Sequence, residues 1–230
     1  MVISVHQPYF CPYPGFFYRI LKSDLFVLLD TVQFPRGTTW TSRNRFKNDQ
    51  GTLWITIPVH TKGLGFQSLD SVRICRERQF PRKQLMSLRH AYAHAPFFRD
   101  HYPFLEAVMQ SEVHHLKDLT IPIIQYITDY LNVRTEIRRL SELSIQGKGT
   151  ALLMDICRHT GATQLLIPRS ARRYVEELSL QAAGIRIVPF RVPTWIYPQL
   201  WGDFIPNLSI FDMIFNIGPK ARDLLNPNIA

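Results

Sequence analysis

The sequence predicts an α/β fold: a mostly parallel, Rossmann-like sheet with an inserted β-hairpin and a helical insert over about residues 79–132. Three observations predict it. Residues 2–30 read as a strand–loop–helix–strand unit, a pattern that favours a parallel pair joined by a crossover. Residues 134–190 alternate strand and helix patterns again. Between them, R-N-R-F-K and T-L-W-I-T-I-P-V flank N-D-Q-G, a hairpin signal. The sheet is then assembled from both ends of the chain, so residues 1–230 read as a single α/β domain, a size that suits one buried core.

Each element has its own cue. Residues 2–6 are a β-branched, buried strand. Residues 7–15 are a loop stiffened by Pro8, Pro12 and Pro14. Gly15 opens a short helix with Phe16, Phe17, Ile20 and Leu21 as its apolar positions, and residues 25–29 form a second strand ending at Asp30. After the hairpin, residues 69–75 (L-D-S-V-R-I-C) alternate as a half-buried strand. Residues 80–131 read as three helices, with Pro122 predicting a kink or a late start in the last. A strand is expected over 134–140, a helix over 150–159 stopped by Gly161, a strand over 163–167, a short helix over 172–180 and a strand over 185–190. The terminal N-L-S-I-F-D-M-I-F-N-I-G reads as a helix capped near Asn207 or Ser209 and ended by Gly218.

Composition narrows the function classes. The longest apolar runs are strand-sized, well short of the ~20 residues that cross a bilayer, and the N-terminus lacks the basic and apolar regions of a signal peptide. Three cysteines, Cys11, Cys75 and Cys157, are too few and too scattered for a disulfide framework or a zinc pair. They suit a reducing, cytoplasmic compartment. The net charge of +9 favours an anionic small molecule such as a nucleotide or nucleotide sugar. The basic residues are dispersed, which argues against nucleic acid. No phosphate-binding, dinucleotide or hydrolase motif demands a cofactor, which leaves the cofactor open, with ATP or a nucleotide sugar as candidate substrates.

The candidate site begins at the first strand. His6 and Gln7 stand at a strand's carboxyl end, where open α/β sheets bind ligands, and His6 is the candidate acid/base. Tyr9 and Gly15 belong to the prolyl loop that follows. Asp30 is either a catalytic-site residue, which orients His6, binds a ribose or amine or ligates a metal, or a turn and helix cap. Arg43, Arg45 and Lys47 share one strand face with Asn44 opposite; the arginines either fork a phosphate or form a solvated stripe. Arg169 precedes Arg172 and Arg173 in a second basic cluster. Tyr197 lies in an aromatic loop, and Asp212 and Asn216 are one turn apart on the apolar terminal helix; each either meets substrate or bonds to its neighbours.

The motifs H-Q-P-Y-F-C-P-Y-P-G-F-F, S-D-L-F-V-L-L-D-T-V-Q-F, W-T-S-R-N-R-F-K, W-I-T-I-P-V and L-S-I-F-D-M-I-F-N-I-G follow one another in this order. In that combination the chain resembles the WbqC-like proteins of bacterial O-antigen and surface-polysaccharide gene clusters. It departs at Tyr13, where the family often has Trp, and at Thr31, where it often has Asp. It departs again at Ile167-Pro168-Arg169, where a Ser-Gly step is usual; that change admits a different substrate, with an anion held by Arg169. The resemblance implies a transferase in polysaccharide biosynthesis, with glycine transfer to a nucleotide-linked amino sugar as its concrete form. The alternative is a noncatalytic binding module or adaptor. The strand–loop–helix opening also parallels nucleotidyltransferases, but Phe17 stands where their second signature histidine would be.

Overall fold

The computed structural model describes residues 1–37, 39–77 and 79–225. In chain order the elements are β1 (Val2–His6), α1 (Pro14–Leu21), β2 (Leu25–Leu28), β3 (Arg43–Asn48), β4 (Gly51–Thr56), α2 (Arg82–Tyr92), α3 (Phe98–Gln110), α4 (Lys117–Tyr130), β5 (Glu136–Arg139), α5 (Leu140–Leu143), α6 (Gly149–Thr160), β6 (Gln164–Pro168), α7 (Glu177–Ala182), β7 (Arg186–Phe190), α8 (Ile210–Ile217) and α9 (Lys220–Leu225). They fall into two compact units. The first is Met1–Gln7, Gly15–Val32 and Val133–Pro193; the second is Pro8–Pro14, Gln33–Asn132 and Thr194–Ala230.

Unit 1 is a five-stranded parallel sheet in the order β5-β2-β1-β6-β7. Alternation along β1 sends Ile3 and Val5 to one face, where they pack with Val27, Leu165, Ile167 and the α6 residues Leu152, Ile156 and Cys157. Ser4 and His6 point to the other face, and α1 covers it: Ser4 and Ser23 hydroxyls bond at 2.8 Å, and Phe16 stacks edge-on to both His6 and Phe26. Covered on both faces, β2 is buried along its whole length, as parallel strands are. Asp24 accepts the Val2 N–H at 2.7 Å and closes the amino end of the sheet.

Unit 2 holds the antiparallel β3–β4 hairpin, registered Arg43↔Thr56 through Asn48↔Gly51, together with α2, α3, α4, α8 and α9. Phe46 and Ile55 face its core. Its centre is aromatic: the Phe215 ring meets those of Tyr92, Phe98 and Phe211. Ser209 caps α8 by accepting the Phe211 N–H, and Gly218 follows its last residue, as the sequence predicts.

Three expectations need correction. Residues 69–75 are not a continuous strand: Leu69–Ser71 is a 3₁₀ turn, followed by an extended segment with isolated bridges Val59↔Ile74 and Arg73↔His115. The alternation was real, with Val72 and Ile74 buried, but Pro58 has no N–H to lengthen the ladder. Helix α4 starts at Lys117 and runs through Pro122, so the late start offered as the alternative to a kink is not found. The helix expected over 172–180 is split into a 3₁₀ turn, Arg169–Tyr174, and α7.

Candidate functional site

The sheet of unit 1 reverses direction at β1. From it the chain builds outward to β2 and β5 on one side, and to β6 and β7 on the other. The crevice at the carboxyl ends of strands beside such a reversal is where open α/β sheets bind ligands. The ladders differ there. β1 and β2 are in register from Ile3↔Leu25 to His6↔Leu28, and β6 and β7 from Gln164↔Arg186 to Pro168↔Phe190. The β1–β6 register covers only Val2↔Gln164 and Ile3↔Leu165. Pairing between these two central strands therefore stops before the carboxyl edge that carries His6 and Arg169.

His6 is fixed in one tautomer. Its Nδ1 lies 2.8 Å from the Gln7 carbonyl oxygen, which can only accept, so Nδ1 carries the proton and Nε2 carries the lone pair. The Phe16 ring meets it edge-on at 5.1 Å. Burial, and then the Arg19 guanidinium, push its pKa down to about 3, against a smaller upward pull from the Gln7 carbonyl. The imidazole is thus neutral at physiological pH. It offers an acceptor nitrogen rather than the near-neutral titration expected of an ordinary histidine. Arg19 is 5% exposed and its guanidinium sits 5.3 Å from the Phe190 ring, which also meets Tyr18 at 5.7 Å. Helix α1 therefore reaches the carboxyl end of β7 and delivers a buried cation to this edge.

Asp30 is fully buried, and Ser141 engages both its oxygens: the backbone N–H donates at 2.9 Å and the hydroxyl at 2.7 Å. It fills the place of a cap at the start of α5, where N–H groups lack helical partners. Arg169 is exposed directly after β6. Its neighbours are engaged, Arg172 with Glu177 at 2.5 Å and Arg173 over the Tyr174 ring. Gly15 is the second residue of α1.

In unit 2 the segment Pro8–Pro14 is held by one buried amide. Asn44 Nδ2 donates to the carbonyls of Phe10 at 2.9 Å and Cys11 at 2.8 Å, while its oxygen accepts the Arg45 N–H at 2.8 Å. The Phe10 N–H donates to Trp40 O, and the Ile210 N–H to Pro12 O. Cys11 holds a left-handed φ of 42° there, and burial raises its thiol pKa well above the usual value, so it packs rather than reacts. Tyr9 keeps part of its surface exposed.

The basic stripe on β3 divides. The Arg43 guanidinium lies 4.0 Å above Trp54, and Trp54 meets Trp40 at 5.5 Å. Arg45 donates to the carbonyls of Pro206 and Asn207. Lys47 is 1% exposed and donates to Asp203 O at 2.6 Å and Gln199 Oε1 at 3.2 Å. One face carries all three cations, as the period-2 pattern predicts, but their environments differ.

Tyr197, Asp212 and Asn216 do come together, in a buried network. The Asp212 carboxylate accepts the Tyr92 and Tyr197 hydroxyls, each at 2.7 Å, and Asn216 donates to the Asp212 carbonyl. Tyr92 accepts the Lys47 N–H at 2.8 Å. Burial raises the Asp212 pKa against the pull of the two tyrosines and Lys47, and it raises both tyrosines. The roles of Tyr92, Lys47 and Gln199 escape a sequence reading because Tyr92 meets Asp212 120 residues away, and Lys47 meets Gln199 and Asp203 152 and 156 residues away. Trp54 was legible: it stands on the outward face of β4, next to inward Ile55.

Thus His6, Gln7, Gly15, Asp30 and Arg169 belong to unit 1, and Tyr9, Arg43, Asn44, Arg45, Tyr197, Asp212 and Asn216 to unit 2. Among the described residues, no three His, Cys, Asp or Glu side chains are grouped to hold a metal. No helix among them is long and apolar enough to cross a membrane.

Comparison with known proteins agrees with the motif order. "Uncharacterized protein Rv1507c" of Mycobacterium tuberculosis is 30% identical over 225 residues, spanning 97% of this chain and 96% of its own. No solved structure matches. The WbqC-like protein family matches residues 7–224. With nearly its whole length matched, the chain belongs to the WbqC-like protein family.

Proposed function

We propose that this protein is a cytoplasmic transferase of bacterial surface-polysaccharide biosynthesis. Its substrate is a nucleotide-linked sugar or a related anionic acceptor, and its concrete reaction is glycine transfer to an amino sugar. The observation that carries this reading is the carboxyl edge of the parallel sheet. There a neutral imidazole with a fixed tautomer and a buried guanidinium lie beside the strand reversal. Arg19 and Arg169 supply positive charge for a phosphate. His6 Nε2 accepts a proton from an amine as its nitrogen attacks an activated carboxyl carbon. ATP activates the glycine carboxylate as an adenylate with release of pyrophosphate, and AMP leaves when the amide forms. A bound phosphate raises the His6 pKa by its charge, which makes the imidazole a better base once substrate is present. Asp30 acts as a positioning residue through Ser141. Arg43, over the exposed Trp54, is the corresponding anion-binding candidate in unit 2.

The test is incubation with ATP, radiolabelled glycine and a panel of nucleotide-linked amino sugars, read by pyrophosphate release and by mass spectrometry for a glycyl adduct. His6→Asn should lower kcat by about a hundredfold or more, the usual contribution of a positioned base. Absence of product and of any thermal shift with ATP or nucleotide sugars would remove the transferase reading. Salt-sensitive nucleic-acid binding in its place would favour the adaptor.

A further inference from the structure

We infer that unit 2 carries a saccharide-binding groove with Trp201 as its stacking platform. The groove has a volume of about 620 Å³, within the range that holds a small ligand. The β3–β4 hairpin, α2 and Trp201 line it. All of these belong to unit 2, and the inference does not depend on the transfer reaction proposed above.

Trp201 is the unusual residue. It is a bulky side chain at φ 64°, followed by Gly202 at φ 44°, in a region that large residues rarely adopt and that costs about 1–3 kcal/mol. Its indole N–H already donates to the Ala91 carbonyl at 2.8 Å, yet the residue remains 37% exposed. With its one polar side-chain atom engaged, the ring has only hydrocarbon surface to offer a ligand. A second left-handed residue, Gln79 at φ 67°, lines the same groove. Strained backbone and an exposed, orientation-locked aromatic ring at one cavity mark a binding surface rather than a packing accident.

The rest of the lining selects the ligand class. Lys83, Ser87 and His90 lie along one face of α2. Asn48 and Asp49 face the groove from the hairpin turn, where each is held by Gln50: Asn48 Oδ1 accepts its N–H, and Asp49 Oδ2 accepts its side-chain amide. Ser87 donates to the Lys83 carbonyl and keeps its oxygen as an acceptor. A sugar ring has an apolar C–H face that stacks on an aromatic ring, and a rim of hydroxyls that both donate and accept. Indole beside amide, carboxylate, hydroxyl and imidazole matches that pattern. A purely apolar ligand would strip water from these polar groups without replacing it. Among the described lining residues, a phosphate would meet the Asp49 carboxylate, with Lys83 to offset it.

The experiment labels the full chain with 5-fluorotryptophan, which gives four resonances for the four tryptophans, and titrates it with N-acetylglucosamine, N,N′-diacetylchitobiose, maltose and ATP. Loss of a resonance in Trp201→Phe identifies the one at issue. It should shift saturably at millimolar saccharide while the other three stay in place. Asn48→Ala should weaken binding about tenfold, the loss of roughly one hydrogen bond. Should Trp201→Phe fail to fold, Met86→Arg and Ser87→Arg on the surface of α2 block the groove instead, and calorimetric binding of the same sugars should disappear. The Trp201 resonance reports binding without any glycine transfer, so failure of the transfer reading leaves this result intact. The inference is overturned by no saturable response to any of the three saccharides, by a response that survives Ser87→Arg, or by a Trp201 response to ATP alone.

Discussion

Asn44→Ala would remove three hydrogen bonds at a residue that is 1% exposed. The carbonyls of Phe10 and Cys11 lose their donor among residues that are 0% exposed, and the Arg45 N–H loses its acceptor. Each such bond contributes about 1 kcal/mol net, and each group left buried without a partner costs up to about 3 kcal/mol. The sum is about 3–5 kcal/mol, which for a chain of this size is a fall in Tm of about 10 °C. The loop that follows His6 and Gln7 should loosen with it. Calorimetry reads the stability, and Ellman's reagent reads the loop through Cys11, which should turn from protected to reactive. Asn44→Asp sharpens the test. The aspartate keeps an acceptor for the Arg45 N–H but sets a carboxylate oxygen against two carbonyls. That repulsion raises its folded pKa, so the penalty is full at neutral pH and relaxes as pH falls and the acid gains a proton to donate. A Tm change below about 2 °C in Asn44→Ala, with Cys11 still protected, would refute the assignment of Asn44 as the clamp on this loop.

Other outcomes follow from the same contacts. The His6 pKa is lowered from 6.5 to about 3 in the folded state, so the unfolded chain binds its proton first on acidification and stability is lost as pH falls below 6.5. By about pH 5 the loss is about 2 kcal/mol from this group; urea unfolding should show it in the wild type and much less of it in His6→Asn. Cys11 and Cys157 are buried with raised pKa values, whereas Cys75 is partly exposed, so thiol titration of the native protein should find one fast cysteine, abolished by Cys75→Ser. Gly218→Ala would bring a Cβ to 2.5 Å from the Phe97 ring at φ 52°. It should cost about 2–3 kcal/mol, measured by denaturant midpoint, and a change under about 0.5 kcal/mol would show that Phe97 yields freely.

Local chemistry made much of this fold legible. The hairpin, the cap of α8 by Ser209 and the stop at Gly161, with φ 69°, each follow from a few neighbouring residues. The apolar runs of β1, β2 and β6 announce strands buried in a parallel sheet. What escaped depends on distant partners. Lys47 reads as a solvent-facing member of a basic stripe until residues 199–203 close over it. Asp30 reads as catalyst or cap from the sequence, which gives no sign that Ser141, 111 residues away, engages both its oxygens. The four-residue α5 carries too short a pattern to show any period. His6 was visible as a strand-end histidine, but its fixed tautomer and its suppressed protonation come from the Gln7 carbonyl, burial and Arg19.

The interleaving of the two units has a consequence for the chain as it leaves the ribosome. The polypeptide passes between them five times, after residues 7, 14, 32, 132 and 193. Strand β1 is made well before its neighbour β6, which is not complete until Pro168. At ~5–20 residues per second that is a wait on the order of 10–30 s. Unit 2 waits longer still, because Asp212, which ties Tyr92 to Tyr197, is made after the last segment of unit 1. Unit 1 has its five strands once β7 is made, while unit 2 still lacks α8, so a chain interrupted just before α8 carries a sheet that can close and a second core that cannot.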